Sequence, residues 1–297
     1  MPKDLSDRAW SGKTGGFEWQ QRFLISFFKR INPAITYPFI LVWVLAYIFF
    51  RPKTRKGILH YWQLQGRSGF SAWLNMYLNY VEFGKVIMDR FAAYGGREIQ
   101  IDFEGIEIFD KLQSSESGFI LFNSHIGNPE LAGYHLMPQK PMFVLSFDGD
   151  TQTVNKSRSA SLQKMGIDVI PLKQDGSHII EMHNAISNGS ILSIHADRLF
   201  AADRKIRASL LNHEASFPAG PFRFAASEMV PVVCLFMIRT GNDKYQLSVR
   251  NLSGGVDWKA GRKEVCIQLL ARYKTAMEET LQRFPRQWFH FYDFWEL

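Results

Sequence analysis

The hydrophobic and polar positions of this chain fall into three successive patterns. From Phe17 to Phe50 the residues are mostly apolar and aromatic, and Ile35–Phe50 runs sixteen residues without a charge. That run is shorter than the about 20 apolar residues that cross a bilayer comfortably, and Pro38 sits inside it. From residue 57 to 94 apolar positions recur at roughly helical spacing, first in Ile58-Leu59-Tyr61-Trp62 and then from Phe70 to Phe91. They predict two helices broken at Gly66-Arg67-Ser68-Gly69. Beyond residue 98 the pattern changes to short apolar runs bounded by polar clusters. Strands are predicted at Ile99–Phe103, Gly118–Phe122, Met142–Phe147, Asp168–Leu172, Ser190–His195, Val232–Ile238 and Tyr245–Val249. Helical stretches fall between most of them, at Ile106–Leu112, Pro129–Leu136, Gln152–Lys164, Ser177–Ile186 and Pro221–Glu228, and Lys259–Arg283 closes the series. Strands alternating with helices predict an α/β fold: a mostly parallel sheet of about seven strands with helices on both faces, preceded by N-terminal membrane-associated helices. Residues 1–56 are expected to form a membrane-anchoring segment and residues 57–297 the folded domain.

Charge sharpens this division. Residues 1–66 carry ten Lys or Arg against three acids, which is the whole net charge of +7; the remaining residues hold 25 of each sign. A basic segment interleaved with Trp, Phe and Tyr suits an anionic membrane surface, where each Lys or Arg contributes about 1 kcal/mol. Nucleic acid is not expected as a partner, because no recognition motif accompanies the charge. Two readings of Ile35–Phe50 stay open. One is a short transmembrane anchor with Arg51–Lys56 on the cytoplasmic side; the other is a helix in the interface, with Trp43 and Tyr47 at headgroup depth. Cys234 and Cys266 lie in apolar and helical patterns and are expected as packed thiols in a reducing compartment, not as a disulfide. No metal-ligand cluster is visible: His178 and Glu181 are three apart but lack a third ligand.

The stretch Leu121-Phe122-Asn123-Ser124-His125-Ile126-Gly127-Asn128-Pro129-Glu130-Leu131 carries the most chemistry. A buried strand ends in polar residues, Asn128 can cap the next helix, and Pro129 fits its first turn. His125 therefore sits at the carboxyl end of a strand, where open α/β sheets bind ligands, with Glu130 one loop away. On a continuous helix the two side chains would diverge by about 140°; a loop through Ile126 and Gly127 lets them meet. Imidazole, with an ordinary pKa of about 6.5, accepts a proton near neutrality when a carboxylate fixes its tautomer. Ser124 points to the opposite face of an extended backbone, so the pair reads as a general base for a substrate hydroxyl and not as part of a serine triad. His195-Ala196-Asp197-Arg198 also follows a predicted strand and brings polar groups to its carboxyl end.

The block His125-Ile126-Gly127-Asn128-Pro129-Glu130 resembles the His-x4-Asp/Glu signature of the lysophospholipid acyltransferase superfamily. Within it, the block is most similar to the branch of bacterial lipid A secondary (lauroyl and myristoyl) acyltransferases, whose block runs His-Phe-Gly-Asn-Trp-Glu. Asp197-Arg198 resembles the second block. Phe217-Pro218-Ala219-Gly220-Pro221-Phe222 and Val230-Pro231 resemble the third and fourth, and Pro285-Arg286-Gln287-Trp288 resembles the closing segment. In the glycerolipid branch the third block reads Phe-Pro-Glu-Gly-Thr-Arg. Ala219 and Pro221 depart from it, which favours the lipid A-like branch. The resemblance implies an acyltransferase catalytic domain with His125 as base and Glu130 as its orienting partner. Gly127 and Asn128 would supply oxyanion donors at a helix N-terminus. Asp197 and Arg198 would bind substrate, with Arg198 holding a phosphate or carboxylate. Pro218 and Gly220 would let the backbone approach a ligand, and Arg223 is either an anion contact or a solvated helix residue. The implied reaction moves a fatty acyl group from acyl-carrier protein (acyl-ACP) or acyl-CoA to a hydroxyl of a lipid acceptor. No cofactor or metal takes part, and the setting is the cytoplasmic side of a bacterial inner membrane. The alternatives are a thioester or lipid hydrolase on the same site, and a non-catalytic lipid-binding membrane protein.

Overall fold

The computed structural model describes residues 18–50, 52–136, 138–147, 162–163, 165–173, 175–199 and 204–295. The expected helix Gln152–Lys164 lies outside this set except for Leu162 and Gln163.

Seven strands form one sheet: β1 (Gln100–Glu104), β2 (Phe119–Asn123), β3 (Met142–Phe147), β4 (Ile167–Leu172), β5 (Ile191–His195), β8 (Val232–Gly241) and β9 (Lys244–Asn251). Their order is β1-β9-β8-β2-β5-β3-β4. Five of them, β8 to β4, run parallel; β9 turns back antiparallel on β8 and carries β1 parallel to itself. All seven strands lie within three residues of the positions predicted from the apolar runs. A two-stranded hairpin, β6 (Lys205–Leu210) with β7 (His213–Pro218), was not predicted. Its turn is built on Leu211 and Asn212, both at positive φ, and lacks the glycine that marks such turns in a sequence.

Alternation along β2 shows how the sheet is covered. Ile120 and Phe122 belong to one buried cluster, which also takes in α7 (His178–Ser187), α8 (Ala219–Glu228) and α9 (Arg262–Arg283). Phe119 and Leu121 belong to a second, with Phe109 of α5 (Ile106–Gln113) and Leu131 and Ala132 of α6 (Pro129–His135). Side chains point to opposite faces at each step, so both faces of the sheet carry helices. The two cysteines are buried and unpaired.

The N-terminal part comprises α1 (Glu18–Phe28), a 3-10 turn at Pro33–Thr36, α2 (Tyr37–Phe50), α3 (Pro52–Leu64) and the long α4 (Gly69–Tyr94). Pro33–Phe50 is the one stretch among the described residues that is apolar and long enough to cross a membrane. Only the stripe Ile40, Val44 and Ile48 of α2 is buried, and it joins the main core cluster. Gly84 of α4 makes the close approach possible: a Cβ there would stand 2.6 Å from Ile40 Cγ2. A buried polar group then ties this layer to the sheet. Asp89 of α4 accepts from Arg239 Nε at 2.9 Å, from the Tyr245 hydroxyl at 2.8 Å, and from the Tyr37 hydroxyl at the start of α2. Burial holds the Asp89 carboxyl above its usual range, against the opposing pull of Tyr37 and Arg239.

Candidate active site

The register of the two central strands places the candidate residues. Asn123 at the end of β2 pairs with His195 at the end of β5, so the residues two positions further on, His125 and Asp197, come side by side. His125 Nδ1 meets Asp197 Oδ1 at 2.8 Å, and the His125 backbone N–H donates to Oδ2 at 2.7 Å. Trp288 Nε1 donates to the same Oδ2 at 3.1 Å, and the Tyr292 hydroxyl donates to the Asp197 carbonyl at 3.0 Å. Asp197 is 1% exposed. Burial alone would raise its pKa, but the charge and hydrogen bonds of His125 outweigh it and hold the carboxyl below its usual range. An ionised carboxylate on Nδ1 fixes the proton there and leaves Nε2 as the basic nitrogen, on a ring that lines a cavity.

This pairing corrects the expected one. Glu130, in the first turn of α6, faces α4, where Arg90 Nη1 and the Tyr94 hydroxyl hold its carboxylate, each at 2.5 Å. The nitrogen it was expected to steady is taken by Asp197. A helix start aims its side chains by the direction of its axis, and the axis of α6 follows from how the 125–128 loop docks on β8. Asn128 does cap α6 as expected, accepting the Leu131 N–H at 3.2 Å, with Pro129 next.

A second correction concerns the oxyanion donors. The Gly127 N–H donates to the Gln287 carbonyl and the Asn128 N–H to the Met237 carbonyl, both at 2.7 Å. These groups are spent in holding the loop. Asn128 Nδ2 donates to the Val86 carbonyl at 3.4 Å. Gly127 is irreplaceable for a different reason: it has φ +72°, and a Cβ would fall 2.0 Å from the Met237 carbonyl oxygen. Ser124 is buried, with its Oγ accepting the Ile126 N–H at 3.2 Å.

Sequence reasoning missed the C-terminal strip. Ile126 bridges antiparallel to Trp288, and the Phe289 N–H donates to the His125 carbonyl at 2.8 Å. The strip is itself pinned by Gln287, which is buried; its side chain accepts the Arg239 N–H and donates to the Arg239 carbonyl on β8. The resemblance of the closing aromatic segment gave it no role beside His125. Its one signal was Trp288, an indole donor in a stretch too apolar to be left in water. His290, 1% exposed and 4.2 Å ring to ring from Trp288, has no hydrogen-bond partner on either nitrogen. Burial pushes its pKa down to about 3.

A cavity of about 1950 Å³ opens at these strand ends. His125, Gly127, Asn128, Glu130, Arg198, Pro218, Gly220 and Arg223 all contribute to its wall. Asp197, expected among the substrate-binding residues, does not, being buried behind His125. Part of the wall is apolar and buried, with Leu121, Leu136, Met142 and Ile167, and Phe83, Phe289 and Phe291 line another part. Exposed cations form a third: Lys205, Arg207, Arg223, Arg262 and Lys263. Among the described residues no group of three or more His, Cys, Asp or Glu could hold a metal ion.

Such a wall suits an amphiphile, with hydrocarbon against the leucines and an anionic part against the cations. A histidine held by a carboxylate at the strand ends is an arrangement that can move a proton beside that surface. Comparison with protein families agrees: the model for the bacterial lipid A biosynthesis acyltransferases matches residues 75–296. The chain belongs to that family and is an acyltransferase for lipid substrates. A search of curated proteins finds none that matches.

Proposed function

We propose that this protein transfers a fatty acyl group from a thioester donor, acyl-ACP or acyl-CoA, to a hydroxyl of a lipid acceptor of lipid A type or a related lysolipid. The reading places it on the cytoplasmic side of a bacterial inner membrane. The observation that carries it is the His125–Asp197 pair facing a cavity that is apolar on one wall and basic on another. His125 Nε2 takes the acceptor proton as the alkoxide oxygen attacks the thioester carbonyl. The tetrahedral intermediate then collapses, the C–S bond breaks, and the imidazolium returns the proton to the departing thiolate. No acyl-enzyme forms, since Ser124 is buried and its Oγ is engaged. With the Gly127 and Asn128 N–H groups spent, Arg198 on the cavity wall is the candidate for stabilising the oxyanion. Glu130 and Arg90 form a polar bracket on the same wall, suited to ordering the acceptor.

The test is release of free thiol by the full chain from a long-chain acyl thioester, with and without a lipid alcohol acceptor. Acceptor-dependent release with acylated product, lowered about 10²–10⁴-fold by His125→Ala, supports transfer with a general base. Equal release of free fatty acid without acceptor would make the protein a hydrolase, and release that survives His125→Ala would move the chemistry elsewhere.

A further inference from the structure

We propose that α2 lies flat in the membrane surface and does not cross it, forming with α1 and the first turns of α4 a single face for an anionic phospholipid bilayer. This deepens the lipid-acyltransferase reading and rests on it only for the purpose of such a face, since the geometry stands by itself.

The outward residues of α2 are among the most exposed apolar side chains in the molecule: Phe39, Val42, Trp43, Phe49 and Phe50 are each more than 60% exposed. Trp19 and Phe23 of α1 and Phe70 of α4 add to them. A surface of this extent is not left in water. Three observations decide against a spanning helix. First, the 14 residues of α2 and the 3-10 turn Pro33–Thr36 before it reach about 29 Å together, so the stretch could span a hydrocarbon core of about 30 Å only by standing upright with no length to spare. Second, its remaining stripe is already covered: Ile40, Val44 and Ile48 pack on the domain, with Ile40 in the notch at Gly84. Third, the stretch of α4 beside it cannot enter hydrocarbon. It carries the pair Glu82–Lys85 and the buried Asp89, which is locked to Arg239 of β8. Val86 and Arg90 of the same stretch touch Asn128 and Glu130. A spanning α2 would therefore draw charges and the His125 loop into the bilayer.

Lying flat resolves all three. The outer face enters the headgroup boundary with aromatic rings at interfacial depth, and the packed stripe stays on protein. Charge fits an anionic surface: Arg22, Lys29 and Arg30 near α1, Lys56 in α3 and Arg67 before α4 are exposed. The arrangement also sets the site against its acceptor. Phe83 and Ile87 of α4 line the cavity, and at about 100° per residue they lie within about 100° of Gly84 around that helix. The lipid-facing plate thus borders the cavity wall.

Site-directed spin labels test this on the full chain bound to preformed vesicles of mixed anionic and neutral phospholipid. One cysteine at a time replaces Ile35, Phe39, Val42, Trp43, Phe49 or Phe50; the native thiols are buried, and the unsubstituted chain gives their background. Depth is read from relative accessibility to oxygen and a water-soluble nickel chelate. A flat helix gives one shallow depth of about 5–10 Å at all six positions. A depth that peaks near Val42 and falls toward both ends would overturn the proposal in favour of a span. Water-like accessibility throughout, or labels shielded equally without vesicles in a dimer, would overturn it in favour of a soluble or self-associated face. The double variant Val42→Asp/Trp43→Asp should lose vesicle binding about tenfold or more with unchanged thermal unfolding. His125→Ala should leave every depth unchanged, so failure of the enzymatic reading is distinguishable from failure of this one.

Discussion

In the proposed mechanism His125 acts as a base only while something holds its proton on Nδ1, and the group placed to do so is Asp197. Asp197→Asn keeps the shape but permits the wrong tautomer, so kcat should fall by about 10³–10⁴-fold with KM little changed. Glu130→Gln, which weakens a bracket with Arg90 and Tyr94, should cost less in kcat and more in acceptor KM. Equal kcat losses in two well-folded variants would return the orienting role to Glu130. The depressed pKa of Asp197 also has a sign. Its contribution to stability is complete above the unfolded carboxylate pKa of about 3.9 and is lost only as pH falls through the lower folded value. His290 behaves in the opposite sense. Its folded pKa of about 3 lies below the unfolded value of about 6.5, so between these limits the unfolded chain binds the extra proton and stability falls as pH falls. His290→Leu loses no hydrogen bond and should flatten that slope by about 1.4 kcal/mol per pH unit. Urea midpoints at pH 7 and pH 5 check it, and an unchanged slope would show that His290 is hydrated or protonated in the folded state.

Among the elements, the ones legible in the sequence are those whose signal is local. The strands were marked by apolar runs between polar clusters, and α6 by Asn128 and Pro129 at its start. The β6–β7 hairpin was not legible, because Leu211 and Asn212 make its turn without a glycine. The C-terminal strip was not legible as part of the site, because a bridge from Trp288 to Ile126 spans most of the domain in sequence. The bolt through α4 belongs here as well. Arg239→Met would leave Asp89 buried and short of its cation, lowering stability by about 3–5 kcal/mol. Chemical denaturation measures this. A loss under 1 kcal/mol would show that the Tyr37 and Tyr245 hydroxyls suffice to hold Asp89.

Across the whole molecule, the apolar plate and the cations of the cavity wall belong to different parts of the chain. The apolar plate belongs to the first ninety residues, and the exposed cations at the cavity belong to β6, α8 and α9. The proposed anionic thioester donor, if it enters past Lys205, Arg207 and Lys263, would be drawn by a field that salt screens. Raising the ionic strength should therefore raise KM for the donor while kcat holds, in steady-state assays at saturating acceptor. A salt-independent donor KM would place donor entry away from the cations.

By itself the sequence determined the α/β class, the seven strands, the strand-end position of His125 and the capped start of α6, because each depends on neighbours within about ten residues. The tertiary structure alone decided which carboxylate holds His125, that the Gly127 and Asn128 N–H groups are consumed, and that the last aromatics close the site. These follow from strand register and loop docking, which bring residues 125, 197 and 288 together. No local pattern encodes that meeting, because a side chain's partner is set by the direction in which the assembled sheet and helices aim it.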